Sequence, residues 1–472
     1  MNQEKFPLVF AGHVDHGKST IIGRLLIESG NLPDGKLEAI RSYCKKNSRP
    51  FEYAFLIDAL KDEQAQGITI DTARVFFSTE NRDFVIIDAP GHIEFLKNMV
   101  TGASRAEAAF LVIAADEGVQ ENSRRHGYVL SILGIRQIVV LVNKMDLVNY
   151  SQDCFYKIKA DFEQFLSEIG ITPSGFVPVS GKDGANIYKN SPLTGWYKDK
   201  TVYKFLEQFE MKKPDRDLPF RMFLSDIYKF TEMNDSRRIY AGTVSSGSLY
   251  KEDEVLFLPS NKKSRIKSIE SFNTAELKHV SAGMATGFTL NEQIYATRGE
   301  LIVKTGEKQP IVSKYFKAAV FWLGKKPLNR NEEFIIKTGT SKTSLKLIKI
   351  NKLIDTSTLK SMTGDAVNRY EAAECIFETG RPIAFDSVDI NQETGRFVIV
   401  HDYEIQGGGI ILDSVNNEHI RKSEKEIFMV ITDKCPDLNK TEELKHARII
   451  SIKENDFVEV LDFMKEKGLI KK

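Results

Sequence analysis

Cysteine is scarce in this chain of 472 residues: there are four, Cys44, Cys154, Cys375 and Cys435, and none stands in a C-x-x-C spacing. A zinc ribbon and a disulfide framework are therefore not expected, and idle thiols in a reducing compartment are. Charge of one sign is also missing. Lys and Arg total 66 against 65 Asp and Glu, a formal net charge of +1. That balance gives no chain-wide polybasic surface of the kind that holds nucleic acid by charge alone. Long hydrophobic runs are absent too. Runs such as Ala108 to Ala115 and Ile138 to Val142 fall far short of the roughly 20 residues a membrane helix needs. Met1 to Pro7 is polar, so no secretory leader is expected there. A cytoplasmic protein with no membrane contact is the default expectation.

The chain is long enough for about three domains. Its first part alternates two textures. Short apolar runs recur at Leu8–Ala11, Phe84–Ile87, Ala109–Ala114, Ile138–Val142 and Phe176–Val179, with helix-like segments such as Ser19–Glu28 and Asp161–Ile169 between them. Alternating strand and helix predicts a parallel sheet with helices on both faces. This regime ends near Lys213. After Pro214, strand-like pieces follow at short intervals: Phe220–Tyr228, Ile239–Val244, Glu254–Pro259, Ser264–Phe272 and Ala285–Leu290. That texture predicts a small β-barrel, and a second set runs from Val312 to Leu412. The tail reads as a strand at Glu426–Thr432 and one helical face of Phe457, Val460, Leu461 and Met464. The expected partition is an α/β domain at 1–213, barrels at 214–303 and 304–412, and a short α/β extension at 413–472.

The chemistry concentrates in the first domain. Gly12-His13-Val14-Asp15-His16-Gly17-Lys18-Ser19-Thr20 lies between the first apolar run and the first helical segment. In such a loop the backbone N–H groups cradle phosphates, aided by the helix N-terminus. Lys18 reaches the outer phosphates and the Ser19 hydroxyl suits Mg²⁺. Asp88-Ala89-Pro90-Gly91 follows an apolar run. An aspartate there can hold the magnesium shell, and Gly91 lets its N–H approach a terminal phosphate. Asn143-Lys144-Met145-Asp146 follows another run. The Asp146 carboxylate can accept from guanine N1–H and the N2 amino group, a donor pair adenine lacks, and the Lys144 stem can cover the base. Ser180-Gly181-Lys182 is the candidate last base loop. Gly67-Ile68-Thr69-Ile70-Asp71 reads as a β-strand by itself, or as a loop whose Thr69 orders around γ-phosphate and Mg²⁺. His92, directly after Gly91, stands where a side chain could orient the attacking water.

Together these motifs resemble the translation-factor-type GTPases of the elongation factor Tu and 1α superfamily: an α/β P-loop GTPase domain followed by two small β-barrels. The likeness covers about residues 6 to 412. Within that superfamily the chain resembles most the large, GTP-binding subunits of sulfate adenylyltransferase. Arg124-Arg125-His126, Arg298-Gly299-Glu300, Val320-Phe321-Trp322 and Lys326-Pro327-Leu328 carry that likeness. His13 and His16 depart from it, having the elongation-factor form, as does Gly181, where alanine is commoner.

The resemblance implies the following roles. Ser19 and Thr69 ligate Mg²⁺, and Asp88 holds it through water. Lys18 neutralises phosphate charge, Gly91 senses the γ-phosphate and His92 orients water. Val14 and Ile68 form an apolar pair holding His92 back until a partner binds. It also implies GTP and Mg²⁺ as cofactors, and a smaller catalytic partner subunit that handles ATP and sulfate to make adenylyl sulfate and diphosphate. No second glycine–lysine phosphate loop is present in the sequence, so a fused adenylylsulfate kinase is not expected. The alternative is an elongation-factor-like GTPase that delivers aminoacyl-tRNA or acts on the ribosome; only that alternative brings in nucleic acid.

Overall fold

The structure, a computed structural model, describes residues 5–46, 51–57, 71–104, 106–211, 216–229, 237–270, 277–388, 390–416, 427–431 and 447–451. Its first six strands are β1 (Phe6–Gly12), β2 (Ala73–Ser78), β3 (Asp83–Asp88), β4 (Ala108–Ala114), β5 (Gln137–Asn143) and β6 (Gly175–Pro178). Every residue of β4 is buried. A strand with no polar face belongs inside a sheet covered on both sides, and the order β2-β3-β1-β4-β5-β6 puts β4 there.

Among the described residues six helices cover the sheet: α1 (Lys18–Glu28), α2 (Lys36–Lys46), α3 (Leu96–Ala103), α4 (Glu121–Ile132), α5 (Gln152–Glu168) and α6 (Val202–Gln208). The period of two along β1 divides the core. Leu8 and Phe10 pack with Ile21, Ile22 and Leu25 of α1 and Phe205 of α6. Val9 and Ala11 face the other way, toward Met99 of α3, Leu130 of α4 and Phe162 of α5. The sheet differs from the expected all-parallel one at its edge, where β2 pairs antiparallel to β3. The physical reason is the connection: four residues separate the two strands, closed by Thr79 N–H donating to Arg82 O at 2.9 Å. A turn that short cannot return a chain parallel.

The next strands are β7 (Arg221–Lys229), β8 (Arg238–Ser246), β9 (Ser248–Tyr250), β10 (Glu254–Leu258), β11 (Lys262–Glu270), β12 (His279–Ser281), β13 (Ala285–Leu290) and β14 (Leu301–Lys304). They close a barrel in the order β10-β11-β13-β8-β7-β14, with β9 and β12 as a small separate pair. A second set comprises β15 (Ile311–Trp322), β16 (Glu333–Thr338), β17 (Ser341–Ile354), β18 (Ser361–Met362), β19 (Ala372–Phe385), β20 (Arg396–His401) and β21 (Glu404–Ser414). It closes through the β16–β17 pairing, with β18 appended to β17. Phe321, Leu323 and Ala372 of this second barrel belong to the same buried cluster as α3, α4 and α5. The barrel is thus packed on the GTPase-like domain through shared core.

A separate compact unit begins at Ser414. Its own described strands are a parallel pair, β22 (Ile427–Ile431) and β23 (Ala447–Ser451), in register from Ile427 opposite Ala447. The expected tail helix over 457–464 lies outside the described residues.

Candidate functional site

Four loops converge at the carboxyl ends of β1, β3, β5 and β6, where an open parallel sheet places its ligands. The β1–α1 loop depends on Gly17, which has φ +84°; a Cβ there would stand 2.4 Å from Asn143 Nδ2. Only glycine fits a left-handed position so close to a neighbour. Gly91 serves close approach: a Cβ would stand 2.5 Å from Lys18 Nζ and 2.6 Å from Val14 N.

Lys18 is buried. Its Nζ donates to Gly12 O at 3.0 Å and His13 O at 2.8 Å, both within the loop. Burial lowers its ammonium to about 8, against the opposing pull of Asp88 and Asp15. Ser19 Oγ donates to Asp88 Oδ2 at 2.5 Å. The two predicted magnesium-site residues, 69 positions apart, are thus adjacent in space. Thr20 is turned instead toward the base loop: a Cβ on Gly181 would meet its Cγ2 at 3.1 Å.

Asn143 is a bracket between loops. Its Nδ2 donates to His16 O at 2.7 Å, and its Oδ1 accepts from Gly181 N–H at 2.9 Å. Ser180 Oγ donates to Asp146 Oδ1 at 2.7 Å, which fixes the carboxylate assigned to guanine. Lys144 has φ +60° and its Nζ lies 3.3 Å from Glu117 Oε1. The contact made by Lys182 is through its backbone: its carbonyl accepts from Arg24 Nη1 at 3.1 Å.

His92 caps the short 3₁₀ turn Ile93–Phe95, its Nδ1 accepting from Glu94 N–H at 3.3 Å. The ring therefore sits at the start of the segment leading to α3, next to Gly91. Gly67, Ile68, Thr69 and Ile70 lie outside the described residues. Thr69 as a magnesium ligand and Val14 with Ile68 as an apolar pair remain expectations from the sequence.

Behind the phosphate loop lies a group of histidines. His13 Nδ1 accepts from Asn122 Nδ2 at 3.0 Å, an orientation fixed by Arg125 Nη1 donating to Asn122 Oδ1 at 3.0 Å. His13 and His16 rings meet edge-on, 5.2 Å apart. Burial pushes His16 down to about 4 and His126 down to about 3, so both rings are neutral near pH 7.

Sequence reasoning missed Arg24, Glu117 and Asn122. Arg24 ties α1 to the last base loop through Lys182 O and Asp183 O, each at 3.1 Å. Its targets in that loop are backbone carbonyls, and no side-chain motif announces those.

Residues 4–232 match the family described as Elongation factor Tu GTP binding domain, and residues 315–412 match the family described as GTP-eEF1A C-terminal domain-like. The chain is 36% identical to sulfate adenylyltransferase subunit 1 of Shewanella woodyi, over 84% of each chain. It is 38% identical to the protein of that name in Psychromonas ingrahamii, over 88% of each. With the Bacteroides fragilis protein of that name it shares 35% identity, over 92% of this chain and 89% of the relative. A P-loop GTPase domain joined to two barrels, with relatives this similar over most of its length, places the chain: it belongs to the sulfate adenylyltransferase subunit 1 family.

Proposed function

We propose that this chain is the GTP-hydrolysing large subunit of a sulfate adenylyltransferase. GTP hydrolysis would drive a smaller partner subunit to make adenylyl sulfate and diphosphate from ATP and sulfate. The observation that carries the GTP reading is the convergence of Lys18, Ser19, Asp88 and Gly91 at one end of the site with Asp146 held by Ser180 at the other. The relatives are named for sulfate adenylyltransferase and not for translation; that favours this reading over aminoacyl-tRNA delivery.

The residues fit Mg²⁺. Ser19 and Asp88 offer hard oxygens side by side, and among the described residues no cluster of three His, Cys, Asp or Glu forms a self-sufficient metal cage. Mg²⁺ is usually held by one or two protein oxygens together with phosphates and water. When bound, it would supply neutralisation of phosphate charge. Lys18 exchanges its two loop carbonyls for phosphate oxygens. Gly91 N–H marks the presence of the γ-phosphate, and His92 orients the attacking water. Asp146 reads the guanine edge while Lys144 covers the base, and Asn143 holds the loops that carry both ends of the nucleotide. Thr69 would be a further ligand of the magnesium ion.

Adenylyl transfer to sulfate is uphill, so coupling to GTP has a physical purpose. The test is to combine the purified chain with a small sulfate adenylyltransferase subunit, ATP and sulfate, and to follow diphosphate release. GTP should raise it several-fold, and a non-hydrolysable GTP analogue should not sustain it. Equal release with and without GTP would sink the reading.

A further inference from the structure

Glu117 belongs to no motif of the sequence, yet it stands between two of them. It sits in the turn after β4, which Gly118 N–H closes onto Ala114 O at 2.9 Å. Its Oε1 lies 3.3 Å from Lys144 Nζ in the base loop, and its Oε2 lies 3.5 Å from His16 Nε2 in the phosphate loop.

The two contacts are not equivalent. His16 is wholly buried, and its Nδ1 lies 3.0 Å from Val112 O. A carbonyl only accepts, so Nδ1 carries the proton, and Nε2 of the neutral ring presents a lone pair. That lone pair faces the carboxylate and finds no hydrogen-bond donor among the described residues. His16 therefore does not draw Glu117 inward. The carboxylate is held by the Lys144 ammonium, which Asp116 shares from 3.9 Å.

We propose that Glu117 is a positioning residue of the nucleotide site. It fixes the Lys144 side chain at the base loop and abuts the phosphate loop at His16, so that the two loops keep their spacing and bound nucleotide is slow to leave. The proposal rests on the GTP reading above. A charge-neutral amide at this position separates two roles. The glutamine of Glu117→Gln can accept from Lys144 with its oxygen and donate to the His16 Nε2 lone pair with its nitrogen. It satisfies the buried ring better than the native carboxylate while giving up the ion pair.

The experiment measures release of fluorescently labelled GDP, with thermal midpoints, for the full chain and its Glu117→Gln and Glu117→Ala variants. Both variants should release GDP about three- to tenfold faster. Glu117→Gln should do so with a thermal midpoint equal to or above that of the parent. Raising salt from about 0.1 to about 0.5 M should speed release from the parent more than from Glu117→Gln, since screening acts on the ion pair. Release within twofold of the parent in both variants overturns the proposal. So does faster release that occurs only with a lowered midpoint, because that is ordinary loosening of the fold. A parent chain that fails to retain labelled GDP sinks the GTP reading itself, and this proposal with it.

Discussion

At the scale of single residues, Lys18 is the group whose environment should be felt most directly in binding. Its folded ammonium titrates near 8 because burial disfavours the charge. A lysine whose folded value is lowered makes its charged form costly: the penalty is fully present below about pH 8 and fades as pH rises toward the unfolded value of about 10.4. Phosphates entering the loop stabilise the ammonium and raise that value. GTP binding should therefore take up a proton at about pH 9 and none at about pH 7, and affinity should fall as pH climbs past about 8. Calorimetric titrations in two buffers of different ionisation enthalpy read the uptake directly. Lys18→Met removes the group and should weaken GTP binding by about two powers of ten, about 3 kcal/mol. The same measurement on Lys18→Met should show no proton uptake at either pH. Lys18, Ser19, Asp88 and Asp146 were legible in the sequence because each follows an apolar run at a fixed offset. Arg24 and Asn122 were not, because the contacts that tie them to the site, Lys182 O for Arg24 and His13 Nδ1 for Asn122, lie 158 and 109 positions away, at no fixed spacing.

At the scale of elements, the strands of the first domain were legible because a run buried on both faces has no polar positions, as β4 illustrates. Their pairing was less so. The antiparallel β2 follows from the length of a turn, and in the first barrel β14 closes against β7 and β10 through partners 43 to 82 residues away. Local periodicity carries no information on such pairing. The loops between elements show the same division. Asn143 ends β5 where a base-reading tetrad was expected, yet its amide spans the loops after β1 and β6. Asn143 is 2% exposed. Asn143→Ala leaves His16 O and Gly181 N–H without that partner, at a cost of about 1–3 kcal/mol for each buried group left unsatisfied. The expected result is a clear drop in thermal midpoint together with loss of GTP binding. An Asn143→Ala variant of native stability that had lost only guanine selectivity would instead make this residue a base contact.

At the scale of the whole first unit, the two barrels are joined by a seam that charge totals do not reveal. Arg221 of β7 meets Asp386, just beyond β19, with Nε–Oδ2 at 2.8 Å and Nη2–Oδ1 at 3.0 Å. The two side chains are 1% and 2% exposed. Thr394 Oγ1 donates to Asp386 Oδ2 at 2.8 Å, and the guanidinium also reaches Phe220 O and Lys308 O. Phe223, Leu258, Leu301, Val303 and Ala384 form an apolar cluster across the same seam. The first barrel is therefore bound to the second by a buried, fully partnered ion pair. The second barrel meets α3 through shared apolar core and the exposed pair Lys97–Glu404 at 3.2 Å. These two ion pairs should respond very differently to loss of one partner. Asp386→Ala strands a buried guanidinium and should cost about 3–5 kcal/mol. Glu404→Ala removes a solvent-screened contact and should cost at most about 1 kcal/mol. Replacing both members of the buried pair, as Arg221→Met with Asp386→Leu, removes the stranded charge and should restore most of the stability lost in Asp386→Ala. Denaturant midpoints of the four proteins, read at constant slope, decide the matter. If Asp386→Ala and Glu404→Ala lose equal stability, the seam is not held by its ion pair, and the apolar cluster alone must join the barrels.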